Sequence, residues 1–132
     1  MIGLDTNVVV RLLTQDDVRQ SRRVDKLIAT AQANADPLYL SVIVLCEVAW
    51  VLRSAYGYQR DDVVRAIEAL LAVAEIVIED RDLTARALLD YKHGPADLSD
   101  YLIGYRNNRA GCHATATFDR KLSTSKIFSV LR

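Results

Sequence analysis

Short apolar or β-branched runs alternate along this chain with longer segments of helical period, and few folds accept that alternation. Ile2-Gly3-Leu4, Leu38-Tyr39-Leu40, Ile76-Val77-Ile78 and Ala114-Thr115-Ala116-Thr117 have the length and composition of strands. Between them lie helical stretches of about 10 to 17 residues, long enough for crossover helices and too long for hairpin turns. A strand, a crossover helix and a second parallel strand form a right-handed unit, so the pattern predicts an α/β fold with a parallel sheet. Ile127-Phe128 offers an additional edge strand.

The helical segments carry their own punctuation. Residues 8–14 are apolar apart from Arg11, and Asp16-Asp17 cap a second helix. On that helix Val24, Leu27, Ile28, Ala31 and Ala35 recur at helical spacing opposite Arg19, Arg22, Arg23 and Lys26. Asp36-Pro37 ends it. Ser41 is a natural N-cap for a strongly apolar helix over about residues 42–56, closed by Gly57. The next helix, about 60–73, is expected to pack on it. Asp80 caps another that runs through Tyr91 to Gly94-Pro95, and Asp97 opens a last one that reaches about Ala110 before Gly111.

At 132 residues the chain is read as one domain, 1–132, able to bury roughly two-thirds of its unfolded surface. Seventeen Lys plus Arg balance seventeen Asp plus Glu, so any polyanion site must rest on a local patch. Cys46 and Cys112 lie far apart in contexts that suit reduced thiols, which points to the cytoplasm. Asp5 stands where a secretory signal would be basic, and the longest greasy stretch, residues 38–52, is interrupted by Ser41 and Glu47. No membrane segment is expected.

Chemistry concentrates in the acids. Asp5 follows the first strand, at the carboxyl end where open parallel sheets bind ligands. Asp119 repeats that arrangement after the fourth. Each is equally suited to capping a helix, and Asp5 gains a further meaning only if other acids converge on it. Glu47 has Ile43, Val44, Trp50 and Val51 at helical neighbour spacing, so its carboxylate projects from an apolar face. It needs a partner there, either a metal or a buried salt bridge to Arg11 or Arg53. Asp97 and Asp100 share the first turn of the last helix, with Asp97 the natural cap and Asp100, beside Ile103 and Gly104 on an inward face, the better ligand. Four carboxylates in one crevice repel, and a hard divalent ion, Mg²⁺ or Mn²⁺, relieves that repulsion. His93 and His113 stand alone near helix ends, without zinc spacing.

Asp5-Thr6-Asn7, Glu47 in an apolar helix, Asp97-Leu98-Ser99-Asp100-Tyr101-Leu102-Ile103 opening a later helix, and Thr117-Phe118-Asp119 after a strand together resemble PIN-domain ribonucleases, specifically VapC-like toxins. The resemblance runs over essentially the whole chain. It implies a three-layer α/β/α sandwich with a short, mostly parallel central sheet of four to five strands. It also implies a metal-binding catalytic quartet of Asp5, Glu47, Asp100 and Asp119, with Asp97 adding either a direct ligand or support behind the ligands, and Thr6, Asn7 and Thr117 as polar supports.

By the same resemblance the expected activity is endonucleolytic cleavage of RNA, leaving a 5′-phosphate and a 3′-hydroxyl. Mg²⁺ or Mn²⁺ would activate the attacking water, orient the phosphate and neutralise developing charge. Arg11, Arg53, Arg106, Arg109, Arg120 and Lys121 are candidate phosphate contacts. A cognate antitoxin is expected to lay apolar residues into a groove formed by the helices over residues 18–34 and 42–73, and homodimerisation is expected as well. Two other readings stay open: a metal-dependent phosphotransfer domain, which the absence of a second Asp in Asp5-Thr6-Asn7 disfavours, and a catalytically inactive binding module. Metal titration combined with an RNA cleavage assay separates the latter from an enzyme.

Overall fold

A computed structural model describes residues 1–132, which form two compact units, Met1–Arg81 and Asp82–Arg132. The first contains β1 (Ile2–Gly3), α1 (Thr6–Thr14), α2 (Val18–Ala33), β2 (Leu38–Leu40), α3 (Val42–Ser54), α4 (Arg60–Ala72) and β3 (Ile76–Ile78). Its sheet has the order β1-β2-β3 with both pairings parallel, and Leu38 lies opposite Ile2 on one side and Ile76 on the other. Leu38, Leu40, Ile76 and Ile78 are buried while Val77 is 41% exposed, the two-residue period of a strand.

The first strand is less buried than its composition suggests. Ile2 and Gly3 are exposed and only Leu4 is covered, whereas β3 at the other edge of the sheet keeps Ile76 and Ile78 buried. The ladder continues one residue past it, where the Leu4 amide donates to the Tyr39 carbonyl at 2.9 Å. α1 packs against both α2 and α3, and α4 lies on α3 and β3, as expected for the 60–73 helix. Val9, Val10, Leu45, Leu52, Ile67 and Leu70 fill the core.

α2 stops at Ala33, so Ala35 is exposed and does not continue the helix's apolar face. Instead it takes a φ of 50°, with its amide donating to the Gln32 carbonyl and the Asp36 amide to the Ala31 carbonyl. That pair of bonds is a Schellman closure, whose left-handed position favours glycine. An alanine there costs about 1 kcal/mol. Ala35→Gly is therefore expected to raise stability by up to about 1 kcal/mol, read by urea unfolding; an unchanged midpoint would show that the alanine carries no strain.

The second unit contains most of α5 (Arg81–His93), then α6 (Leu98–Arg109), β4 (Thr115–Thr117), a 3-10 turn at Arg120–Leu122 and β5 (Phe128–Val130). Asp80, immediately before α5, has a left-handed φ of 48° instead of the extended backbone usual for a cap. β4 and β5 pair in parallel, with Thr115 opposite Phe128 and Thr117 opposite Val130, so all five strands of the chain make parallel pairings. Gly104 is where α6 meets β5: a Cβ there would lie 2.6 Å from the Phe128 ring and 2.7 Å from Ile127 Cδ1. Ile103 does not share that inward direction. It is 52% exposed, because adjacent helical residues point about 100° apart.

Candidate active site

In the first unit the acids gather around the start of α1. Asp5 is its N-cap, and Asp5 Oδ1 accepts from the Thr6 amide at 2.8 Å. Thr6 is buried, and its hydroxyl donates to Glu47 Oε2 at 2.9 Å, tying α3 to the β1–α1 junction. Asp5 and Glu47 are thus joined through one residue. The buried salt bridge considered for Glu47 does not form with Arg11, which bonds Gln20, Asp16 and Tyr56 instead. Glu47 is exposed, as are Ile43 (67%) and Trp50 (70%) one turn to either side. The apolar face read from the sequence exists, but it is open. Thr6→Val retains volume and loses the donor. It should cost about 0.5–1.5 kcal/mol in urea unfolding and lower nucleic-acid cleavage about 10- to 100-fold, as loss of an orienting hydrogen bond does at metal sites. Unaltered cleavage would remove Thr6 from the site.

The second unit assembles three acids. Asp97 is the N-cap of α6, and Asp100 Oδ2 accepts from the Asp97 amide at 3.0 Å, closing a capping box. Asp119 caps the 3-10 turn, its Oδ1 accepting from the Lys121 amide at 2.9 Å, while its own amide donates to Thr117 Oγ1 at 3.0 Å. Burial raises the pKa of Asp100 above the ordinary aspartate value, and the charges of Asp97 and Asp119 push the same way. The Asp97 backbone bond and the Lys121 ammonium oppose the rise without cancelling it. Three negative groups and one cation therefore share one electrostatic neighbourhood.

Capping and ligation are compatible roles. Asp5, Asp100 and Asp119 each bind a backbone amide through one carboxylate oxygen, which fixes the side chain and leaves the second oxygen for a cation. The donors are hard oxygens, which suit Mg²⁺ or Mn²⁺. No three His, Cys, Asp or Glu side chains are already drawn into a ligand cage. His93, His113 and Cys112 are exposed and Cys46 is half-buried.

Of the remaining candidates, Asn7 is exposed beside Arg11 in a concavity of about 230 Å³ between α1 and α2. Arg53, Arg106, Arg109, Arg120 and Lys121 are exposed. Arg11 is half-buried, and its hydrogen bond to Tyr56 holds its pKa above the ordinary arginine value. One acid escaped the sequence reading. Glu79 follows β3 as Asp5 follows β1, and its Oε1 accepts from the Val42 amide at 2.9 Å, capping α3 from a different element. The signal was the same strand-then-acid pattern, masked by the neighbouring Asp80.

Acids stand after parallel strands and at helix starts throughout the chain, and the sequence matches the PIN domain family over residues 2–124. The chain belongs to the PIN-domain family. PIN domains are generally nucleases, hydrolases of phosphodiester bonds that act on nucleic acids and typically use divalent metals. The matched segment contains Asp5, Glu47, Asp97, Asp100 and Asp119. No curated protein and no solved structure matches the chain. No helix is long and apolar enough to cross a membrane.

Proposed function

We propose that this PIN domain is a Mg²⁺- or Mn²⁺-dependent endoribonuclease and the toxin of a toxin–antitoxin pair, acting as a single domain over residues 1–132. The observation that carries the reading is the anchoring of Asp5, Asp100 and Asp119 through one oxygen each, within the segment that matches a nuclease family. Asp5, Glu47, Asp100 and Asp119 would hold the ion, with Asp97 able to add an oxygen. Once bound, the ion would supply Lewis-acid activation of water and charge neutralisation at the phosphate. Thr6 orients Glu47, and Thr117 orients the backbone that carries Asp119. Lys121 and Arg120, next to Asp119 in sequence, are suited to contact phosphate, as are the exposed Arg53, Arg106 and Arg109; Arg11 would do so only by leaving its present partners.

Exposed Ile43 and Trp50 on α3 favour a protein interface, since large apolar side chains left open on one helix face mark contact surfaces. Glu47 lies between them on that face, so a homodimer formed there in the cytoplasm would border the acidic site and leave Glu47 open. The antitoxin is assigned to the helical surface over residues 18–34 and 42–73, including on α2 a concavity shared with α1, where Val8 and Val24 give apolar lining and Arg23 suits an acidic peptide.

The deciding experiment incubates the purified protein with total RNA and maps the ends produced. Cuts leaving a 5′-phosphate and a 3′-hydroxyl, abolished by EDTA and restored by Mn²⁺ or Mg²⁺ but not by Ca²⁺, are expected. Cleavage that survives EDTA would overturn the metal mechanism. Mn²⁺ binding without cleavage would make the domain a binding module.

A further inference from the structure

A cleft of about 340 Å³ opens within the second unit, bordered by the last turns of α5, the middle of α6 and the segment before β5. Asp90, His93, Tyr101, Tyr105, Lys126 and Ile127 are among its walls. We propose that this cleft is a subsite for one unpaired guanosine nucleotide of the substrate, with the base against Tyr105 and its phosphate at Lys126. The proposal rests on the nuclease reading for the source of the nucleotide, but not for the chemistry of binding.

The volume lies in the range of small-molecule sites. The half-buried Tyr105 ring and Ile127 provide an apolar surface of the kind on which unpaired bases settle, and the buried Tyr101 backs it. Asp90 is held in place: the Tyr105 hydroxyl donates to its Oδ2 at 2.5 Å, and the Arg86 guanidinium sits 5.0 Å from the centre of the Tyr105 ring. Burial, then the bond to Asp90, pushes the Tyr105 hydroxyl up to about 12, so it remains a donor at neutral pH. Asp90 Oδ1 keeps its acceptor capacity. A carboxylate accepts well from paired N–H groups, and guanine is the base that presents two adjacent ones, N1–H and N2–H, on one edge.

The same cleft also carries cationic and hydroxyl groups. Lys126 and His93 are exposed, and the Thr124 and Ser125 hydroxyls stand beside Lys126, a donor set suited to a phosphate. Gly94, in the cleft wall, is close-packed against Tyr101 and the end of α5. A Cβ there would collide with the Tyr101 hydroxyl and approach the Asp90 carbonyl at 2.8 Å.

The test is calorimetric titration of the whole chain in EDTA with 5′-GMP, 5′-UMP and inorganic phosphate. GMP is expected to bind about tenfold more tightly than UMP, the usual discrimination from a paired hydrogen bond to a base edge. Asp90→Asn keeps an acceptor for Tyr105 but puts a donor opposite guanine, so GMP affinity should fall about tenfold while phosphate affinity holds. Lys126→Ala, at an exposed position, should weaken GMP and phosphate alike; thermal melts of both variants show whether the fold persists. Equal GMP and phosphate affinity, or GMP affinity unchanged in Asp90→Asn, overturns the subsite. Protein that binds GMP but cuts no RNA overturns the nuclease reading alone, whereas an active nuclease that binds no GMP overturns the subsite alone.

Discussion

Asp5→Asn should lower metal-dependent RNA cleavage by more than about 100-fold and leave the fold intact. Removing a residue that merely orients a ligand costs about 10- to 100-fold in metal affinity or activity, so loss of a ligand charge should exceed that range. The structure shows why folding should survive. Asp5 Oδ1 caps α1 through the Thr6 amide, and asparagine presents an acceptor of the same geometry and is an equally good N-cap. The hydroxyl bond from Thr6 to Glu47 does not involve the Asp5 side chain. Activity and stability should therefore separate in this variant: a melting temperature near that of the wild type, with product formation lost over the whole range of Mn²⁺ concentration. Cleavage at the wild-type rate would show that Asp5 is a helix cap and nothing more.

That ambiguity also marks how far the sequence could be read. The strands at Leu38–Leu40 and Ile76–Ile78 and the helices between them were legible because burial on one face imposes a period on the residues, and the period survives in the structure. Positions fixed by a local rule were legible too: Asp17, Ser41 and Asp97 cap α2, α3 and α6, and Gly57 and Gly111 take positive φ past the ends of α3 and α6. What the period could not show is where a covered face stops. Ile43, Trp50 and Ile103 have the spacing of core residues and are exposed, since spacing says which residues share a face and not whether anything lies on it. Ala35 failed differently, because the Schellman closure puts an ordinary residue where glycine was the expected sign.

For the acids, residue type and order are legible in the sequence, while hydrogen bonding assigns roles that no pattern could. The apolar neighbours of Glu47 predict a cationic partner, and its partner is the Thr6 hydroxyl, forty-one residues away in sequence. By pattern Asp97 is the cap and Asp100 the better ligand, yet both acids belong to the same capping box. The two roles use different oxygens, so the structural part of Asp100 does not subtract from its chemical part.

Asp100 is also where catalytic need and stability should oppose each other. Its folded-state pKa lies above the ordinary aspartate value, chiefly through burial and then through the charges of Asp97 and Asp119. A carboxylate raised in this way carries no penalty below its unfolded value of about 3.9. The penalty grows as pH rises from there through the folded value and is complete above it. Asp100→Asn keeps an acceptor for the Asp97 amide and removes the charge, so without metal it should melt above the wild type at neutral pH. The two melting temperatures should converge below about pH 4, where both side chains are neutral. Mn²⁺ should then reverse the order, raising the wild type by mass action and the variant far less. Cleavage by the variant should fall by more than about 100-fold, for the reason given for Asp5. Melts of both proteins across pH, in EDTA and in saturating Mn²⁺, test each step separately. If metal-free Asp100→Asn melts below the wild type at pH 7, the helix N-terminus stabilises the charge more than its neighbours repel it, and Asp100 is a structural cap.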